Sequence, residues 1–117
     1  MIVEVLKKDL IARLRKQPLC RGMFFEAFES KPLKACRTCA VGCLVALAVR
    51  DSEDSYDANF EFMLDSRLVG LSDIFEEEGD LEKGRRAALD YVKDHFPNKI
   101  PVNIGNLKPR RGVKKVK

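Results

Sequence analysis

Apolar residues recur near the helical period from the start of the chain. Val3, Leu6, Leu10 and Leu14 share one stripe, Ile2 and Ile11 widen it, and Lys7, Lys8, Arg13, Arg15 and Lys16 lie largely off it. This spacing predicts an amphipathic helix over residues 2–16, with its last three cations favourable at a helix C-terminus and Pro18 as its stop. Phe24, Phe25 and Phe28 predict a second, short helix from Met23 to Phe28 or Glu29, closed by Ser30-Lys31-Pro32. Residues 38–49 are apolar nearly all round, the mark of a buried central helix, and Gly42 within it allows another backbone to approach closely. Residues 51–57 are polar and turn-like. In residues 56–64, Tyr56, Phe60, Met63 and Leu64 fit a helix while Phe60, Phe62 and Leu64 alternate as in a strand; the Asp, Asn and Glu between them tilt the reading to helix.

Further on, Ser72 is placed to cap a short helix through Glu78, with Asp73 in its first turn and Gly79 at its end. Asp80 then caps a longer helix to Phe96, stopped by Pro97, whose buried stripe is Leu81, Ala88, Leu89, Val92 and Phe96. Residues 100–107 hold Pro101 and Gly105 and read as extended, as in a short edge strand. The pattern as a whole predicts a mainly α, single small globular domain of about four to five helices over residues 1–107, with room for one short hairpin or edge strand. Residues 108–117 follow as a basic, disordered tail.

Composition supports this outline. The chain has 117 residues, 45% apolar and 34% charged, enough for one core and too apolar for disorder. Its longest apolar run, residues 40–49, is about half of a bilayer span. Glu4 and two lysines interrupt the first residues, unlike a signal peptide. A cytoplasmic protein without a membrane partner is therefore expected, with its cysteines reduced. The net charge of +4 is unevenly spread: residues 51–82 hold twelve acidic residues and one basic residue, Arg67, whereas residues 108–117 hold six basic residues and no acidic ones. Charge so divided bears on partners rather than on fold.

Four cysteines carry the most specific chemistry. Cys36, Cys39 and Cys43, with Cys20 sixteen residues before Cys36, could supply thiolates to a tetrahedral zinc. A second tight pair is missing, however, and the one histidine, His95, is remote in sequence. The spacing 36, 39, 43 is also that of one helical face, and Leu44, Val45, Leu47 and Val49 follow it directly. The leading reading is thus four core cysteines and no cofactor, with a zinc site made by all four thiolates as the minority alternative. Redox chemistry ranks third, because no thioredoxin-like strand precedes the Cys-x-x-Cys pair. His95 falls in the last turn of its helix, where an imidazole is favourable without any catalytic role.

The acidic stretch fails as a calcium loop: counted from Asp51, the sixth position is Tyr56 and the twelfth is Phe62. Its remaining use is as a negative surface, with Asp51, Asp54, Asp57, Glu76, Glu77 and Glu78 as candidate contacts for a basic partner protein. The tail residues Lys108, Arg110, Arg111, Lys114, Lys115 and Lys117 suit phosphate contacts, although no aromatic residue is interleaved for base stacking. Walker loops, dinucleotide fingerprints, nucleophile elbows and zinc-protease helices are absent, so no enzyme is expected.

The segments CRTCAVGCLVALAV (36–49) and LSDIFEEEGDLEKGRRAALDYVKDHF (71–96) resemble a loosely defined group of small phage and prophage proteins, through Cys39, Gly42, Leu44, Leu71, Asp73, Gly79 and Tyr91. That resemblance implies a phage origin and a helical fold, and carries no activity. The expectation is a small non-enzymatic protein that binds a host macromolecule, foremost a host protein, as an inhibitor or modulator. The alternative is a small nucleic-acid-binding protein acting through its tail, with a zinc held by Cys20, Cys36, Cys39 and Cys43.

Overall fold

A computed structural model describes residues 1–26, 32–52, 55 and 60–116. The order of elements is β1 (Ile2–Leu6), α1 (Lys7–Lys16), a 3-10 turn (Leu33–Ala35), α2 (Ala40–Ala48), a second 3-10 turn (Phe60–Met63), α3 (Ser66–Glu77), α4 (Leu81–His95), β2 (Lys99–Asn103) and β3 (Lys114–Val116). The fold is mainly α: among the described residues, four helices pack on a small three-stranded antiparallel sheet ordered β2-β1-β3. No helix among them is long and apolar enough to cross a membrane.

The N-terminal strand sits in the middle of the sheet. Ile2 to Leu6 pair with Asn103 to Lys99 on one side, and Ile2 to Glu4 pair with Val116 to Lys114 on the other. Val3 and Val5 point into the core, while Ile2, Glu4 and Leu6 face outward. This corrects the single helix expected over residues 2–16. Ile-Val-Glu-Val-Leu alternates as well as it spirals, and its β-branched residues favour a pleat once two strands from the far end of the chain offer their hydrogen bonds. The helix begins at Lys7, whose N–H donates to the carbonyl of Asn98 at 2.8 Å, and buries Leu10 and Leu14.

Helix α2 is the central element, as its all-round apolar sequence predicts. Seven of its nine residues are buried, and α1, α3 and β1 pack around it. It starts two residues later than expected, because Cys39 is its N-cap: the thiol accepts from the Gly42 N–H at 3.3 Å. The short helix expected from Met23 is also corrected. Met23 to Phe25 are not helical, and Phe25 forms an antiparallel bridge with Thr38, to which Leu19 is bridged in parallel. Phe28 and Glu29 lie outside the described residues.

The helix expected from a Ser72 cap is longer and begins earlier. Asp65 caps α3, its carboxylate accepting from the N–H groups of Arg67 at 3.0 Å and Leu68 at 3.1 Å, and Ser72 sits mid-helix. Leu68, Leu71 and Phe75 form its buried stripe at spacings of three and four. Residues 60–63 form the 3-10 turn where a helix was expected, and residues 56–59 lie outside the description. Helix α4 follows expectation: Asp80 accepts from Glu82 N–H at 2.7 Å and Lys83 N–H at 3.4 Å, and Gly84, Ala88 and Val92 are buried against α1 and α3.

The extended reading of residues 100–107 holds for its first half, which lies in the edge strand β2, whereas residues 105–106 form a turn in which Gly105 takes a φ of 57°. The tail is corrected: residues 108–116 are folded onto the domain. Arg50 N–H donates to Lys108 C=O at 2.8 Å, Arg110 N–H to Ala48 C=O at 2.9 Å, and β3 completes the sheet. A turn at Gly112, whose φ of 83° suits glycine, redirects the chain into β3, and Val113 packs on the core.

Candidate functional site

All four cysteines are buried and none is joined in a disulfide. The helical face inferred from their spacing is not what holds them there. Cys36 follows the first 3-10 turn, Cys39 caps α2, and Cys43 alone lies on the helix. Burial pushes the Cys43 thiol up to about 12, and burial followed by the nearby Cys39, Glu26 and Glu76 pushes Cys20 up to about 11. Burial raises Cys39 too, against the backbone N–H groups of Gly42 and Val41 that favour its thiolate. Such environments stabilise thiols, whereas nucleophilic attack requires a thiolate. Among the described residues no group of three or more His, Cys, Asp or Glu is arranged to hold a metal.

The acidic residues divide into separate places. Glu76 accepts from Gly22 N–H at 3.3 Å and acts on the Cys20 and Cys39 thiols, which puts it near the N-terminal end of α2. Asp51 is exposed just past the opposite end of that nine-residue helix, about 13 Å away along its axis. Glu77 and Glu78 close α3, and Asp54 and Asp57 lie outside the described residues. His95 ends α4, its ring 4.5 Å from that of Tyr91.

Cationic side chains, by contrast, converge. A cleft of about 640 Å³ opens between β1, the outer side of α1, the start of β2 and residues 110–114. Arg13 and Lys16 of α1, Lys99 of β2, and Arg110, Arg111 and Lys114 of the C-terminal segment line it, with two carboxylates, Glu4 and Asp9. Val5, Leu6, Leu47 and Val113 supply apolar wall, and among the described residues no aromatic side chain is part of the lining. Arg13 is held in place, its Nε donating to Gln17 Oε1 and its Nη2 to Lys34 C=O at 3.2 Å. Gln17 is itself buried and donates to Cys36 C=O at 3.0 Å, so the α1 wall is anchored to the core.

Among the described residues the ion pair formed is Arg85–Glu82, remote from the cleft in sequence and absent from its lining. The six cleft cations and the two carboxylates thus stand within one concavity without forming ion pairs with one another. Arg13 spends part of its hydrogen-bonding capacity on Gln17 and Lys34, and none of the eight charges is neutralised by a partner within the cleft.

The sequence alone points to Arg110, Arg111 and Lys114, but as parts of a free tail. It ties Arg13 and Lys16 to the helix dipole and gives no sign of Lys99 as a contact. Lys115 pairs with Val3 across the sheet, and Lys117 lies outside the described residues. No local signal links positions 13, 16, 99 and 110; pairing of both chain ends in one sheet brings them together. No protein-family model, no curated protein and no solved structure matches the chain.

Proposed function

We propose that this protein is a non-enzymatic binding protein that takes the sugar–phosphate backbone of a single-stranded nucleic acid in its basic cleft. The observation that carries this reading is the convergence of six cations from three parts of the chain on one concave surface, none of them in an ion pair among the described residues. Cations focused in a cleft attract a polyanion and release its counterions, which supplies affinity without reading sequence. The cleft volume is that of a ligand pocket, suited to a nucleotide unit rather than to the girth of a duplex. Because the lining has no aromatic side chain among the described residues, base stacking contributes little and the affinity is mainly electrostatic.

Fluorescence anisotropy with a labelled single strand of about twelve nucleotides tests the reading. The logarithm of affinity should fall against the logarithm of salt with a slope of about −3 to −4, as for four to six neutralised phosphates on a single strand. Arg110→Glu with Arg111→Glu should lower affinity at least about ten-fold, since each contact removed is replaced by repulsion. Binding unaffected by both salt and these changes would overturn the proposal.

A second reading, an acidic surface for a basic host protein, keeps one supporting observation. Glu76 and Glu77 end α3 and Glu78 caps it, with no basic residue in that last turn, although the helix dipole disfavours anions there. Reversing Glu77 and Glu78 to lysine should raise stability slightly, and should slow association with any basic partner whose encounter is charge-steered. Unchanged association kinetics after that reversal would remove this reading.

A further inference from the structure

We infer that the cleft prefers a ribonucleic over a deoxyribonucleic strand, with the Glu4 carboxylate accepting the 2′-hydroxyl hydrogen bond; this rests on the reading of the cleft as a nucleic-acid site. A cleft built only to hold phosphates gains nothing from carboxylates, which repel them. Asp9 has a structural explanation, as an acid in the first turn of α1. Glu4 has none. It stands in the middle of the central strand, where glutamate is disfavoured, and is half-buried between its register partners Pro101 and Lys114. Although Lys114 is directly opposite, the two form no ion pair.

Glu4 is therefore an acceptor carried on a fixed strand among cations that form no ion pair with it. The main chain on both sides of it is held by β2 and β3, so little backbone freedom remains to be lost on binding. A ligand complementary to this lining has anionic oxygens for the lysines and arginines and a hydrogen-bond donor a short distance away. The sugar of a ribonucleotide unit supplies both: its phosphate is the anion and its 2′-hydroxyl the donor, the group by which proteins tell RNA from DNA. A deoxyribose strand leaves the carboxylate facing phosphate without compensation.

The test compares single-stranded RNA, DNA and 2′-O-methyl RNA of one sequence, each titrated against the full chain by anisotropy. The wild type should bind RNA about five- to ten-fold more tightly than DNA, the size expected of one partly solvated hydrogen bond to a charged acceptor. The 2′-O-methyl strand, which has lost the donor, should fall to the DNA level. Glu4→Val, compatible with an outward strand position, should abolish the preference and raise DNA affinity, since a carboxylate that repels phosphate is removed. Glu4→Gln, which keeps a weaker acceptor, should retain a reduced preference, and serves if the valine variant does not fold. Equal binding of RNA and DNA by the wild type, or a full preference in Glu4→Val, overturns the inference and leaves the electrostatic reading standing. Failure of all three strands to bind overturns both.

Discussion

The guanidinium of Arg85, on α4, donates from Nη1 to the main-chain carbonyl of Leu14 at 2.6 Å and also to that of Gln17 at 2.9 Å. These carbonyls belong to the C-terminal end of α1, where helical acceptors lack partners of their own and negative partial charge collects. Glu82 grips the other edge of the same guanidinium with both carboxylate oxygens, at 3.0 and 3.1 Å, and fixes its plane. One side chain thus ends one helix from another, and secures the wall that carries Arg13 and Lys16.

Arg85→Met, which keeps the apolar stem and removes the donors, should lower stability by about 1.5–3 kcal/mol, the usual range for hydrogen bonds to charged groups. Arg85→Lys should recover part of this, since an ammonium cannot reach two carbonyls and a carboxylate in one plane. Urea midpoints at constant slope would measure both. A change below about half a kcal/mol for the methionine variant would show that the cap is ornamental.

Gly42 supports a sharper contrast. A β-carbon there would stand 2.1 Å from the carbonyl oxygen of Phe24, and backbone cannot move aside as a side-chain tip does. Gly42→Ala should therefore destabilise by about 2 kcal/mol or more, even though alanine is the better helix former by roughly 1 kcal/mol. Gly79→Ala is the control, with nothing within 4 Å of the added carbon, and should be neutral or slightly stabilising. Similar losses at both positions would mean that the Phe24 segment does not lie against α2.

Stability should decline in alkali through the buried thiols. The Cys43 thiol is raised from 9.0 to about 12. Between these values the unfolded chain has released the proton while the folded chain retains it, so unfolding gains with rising pH. The contribution is complete below pH 9 and is lost as pH climbs toward about 12. Compared at about pH 7.5 and about pH 10.5, wild type should lose more stability than Cys43→Ala, which has no thiol to ionise. Equal losses would show that Cys43 titrates normally. At neutral pH, thiol reagents should label Cys39 and Cys43 only as fast as the protein opens.

Truncation after Pro109 should destabilise the domain by about 1–3 kcal/mol. It removes the three β3 register pairs and the packing of Val113, each worth a fraction of a kcal/mol to about 1.5 kcal/mol. It should also abolish nucleic-acid binding, because Arg110, Arg111 and Lys114 leave with it. Calorimetry on the truncated and full-length chains separates the two effects. An unchanged melting temperature would return the segment to the status of a free tail.

Local signals determined a good part of this molecule. The helix from Asp80 to Phe96 was readable because a cap, an apolar stripe and a stopping proline act within a few residues of one another. The buried α2 followed from composition alone, as did the close approach at Gly42. The extended edge at Pro101 followed from what proline cannot donate. Tertiary structure decided whatever depends on residues far apart in the chain. Residues 2–6 carry a pattern that serves helix or strand, and hydrogen bonds from positions 99–103 and 114–116 select the strand. The lysines and valine of β3 have no strand signal of their own; β1 supplies their partners. The cleft is a consequence of both choices, since closing the two chain ends into one sheet carries Arg110, Arg111 and Lys114 to Arg13, Lys16 and Lys99. Charge along a sequence records how many cations there are. Where they meet is set by long-range pairing, whose free energy no local window contains.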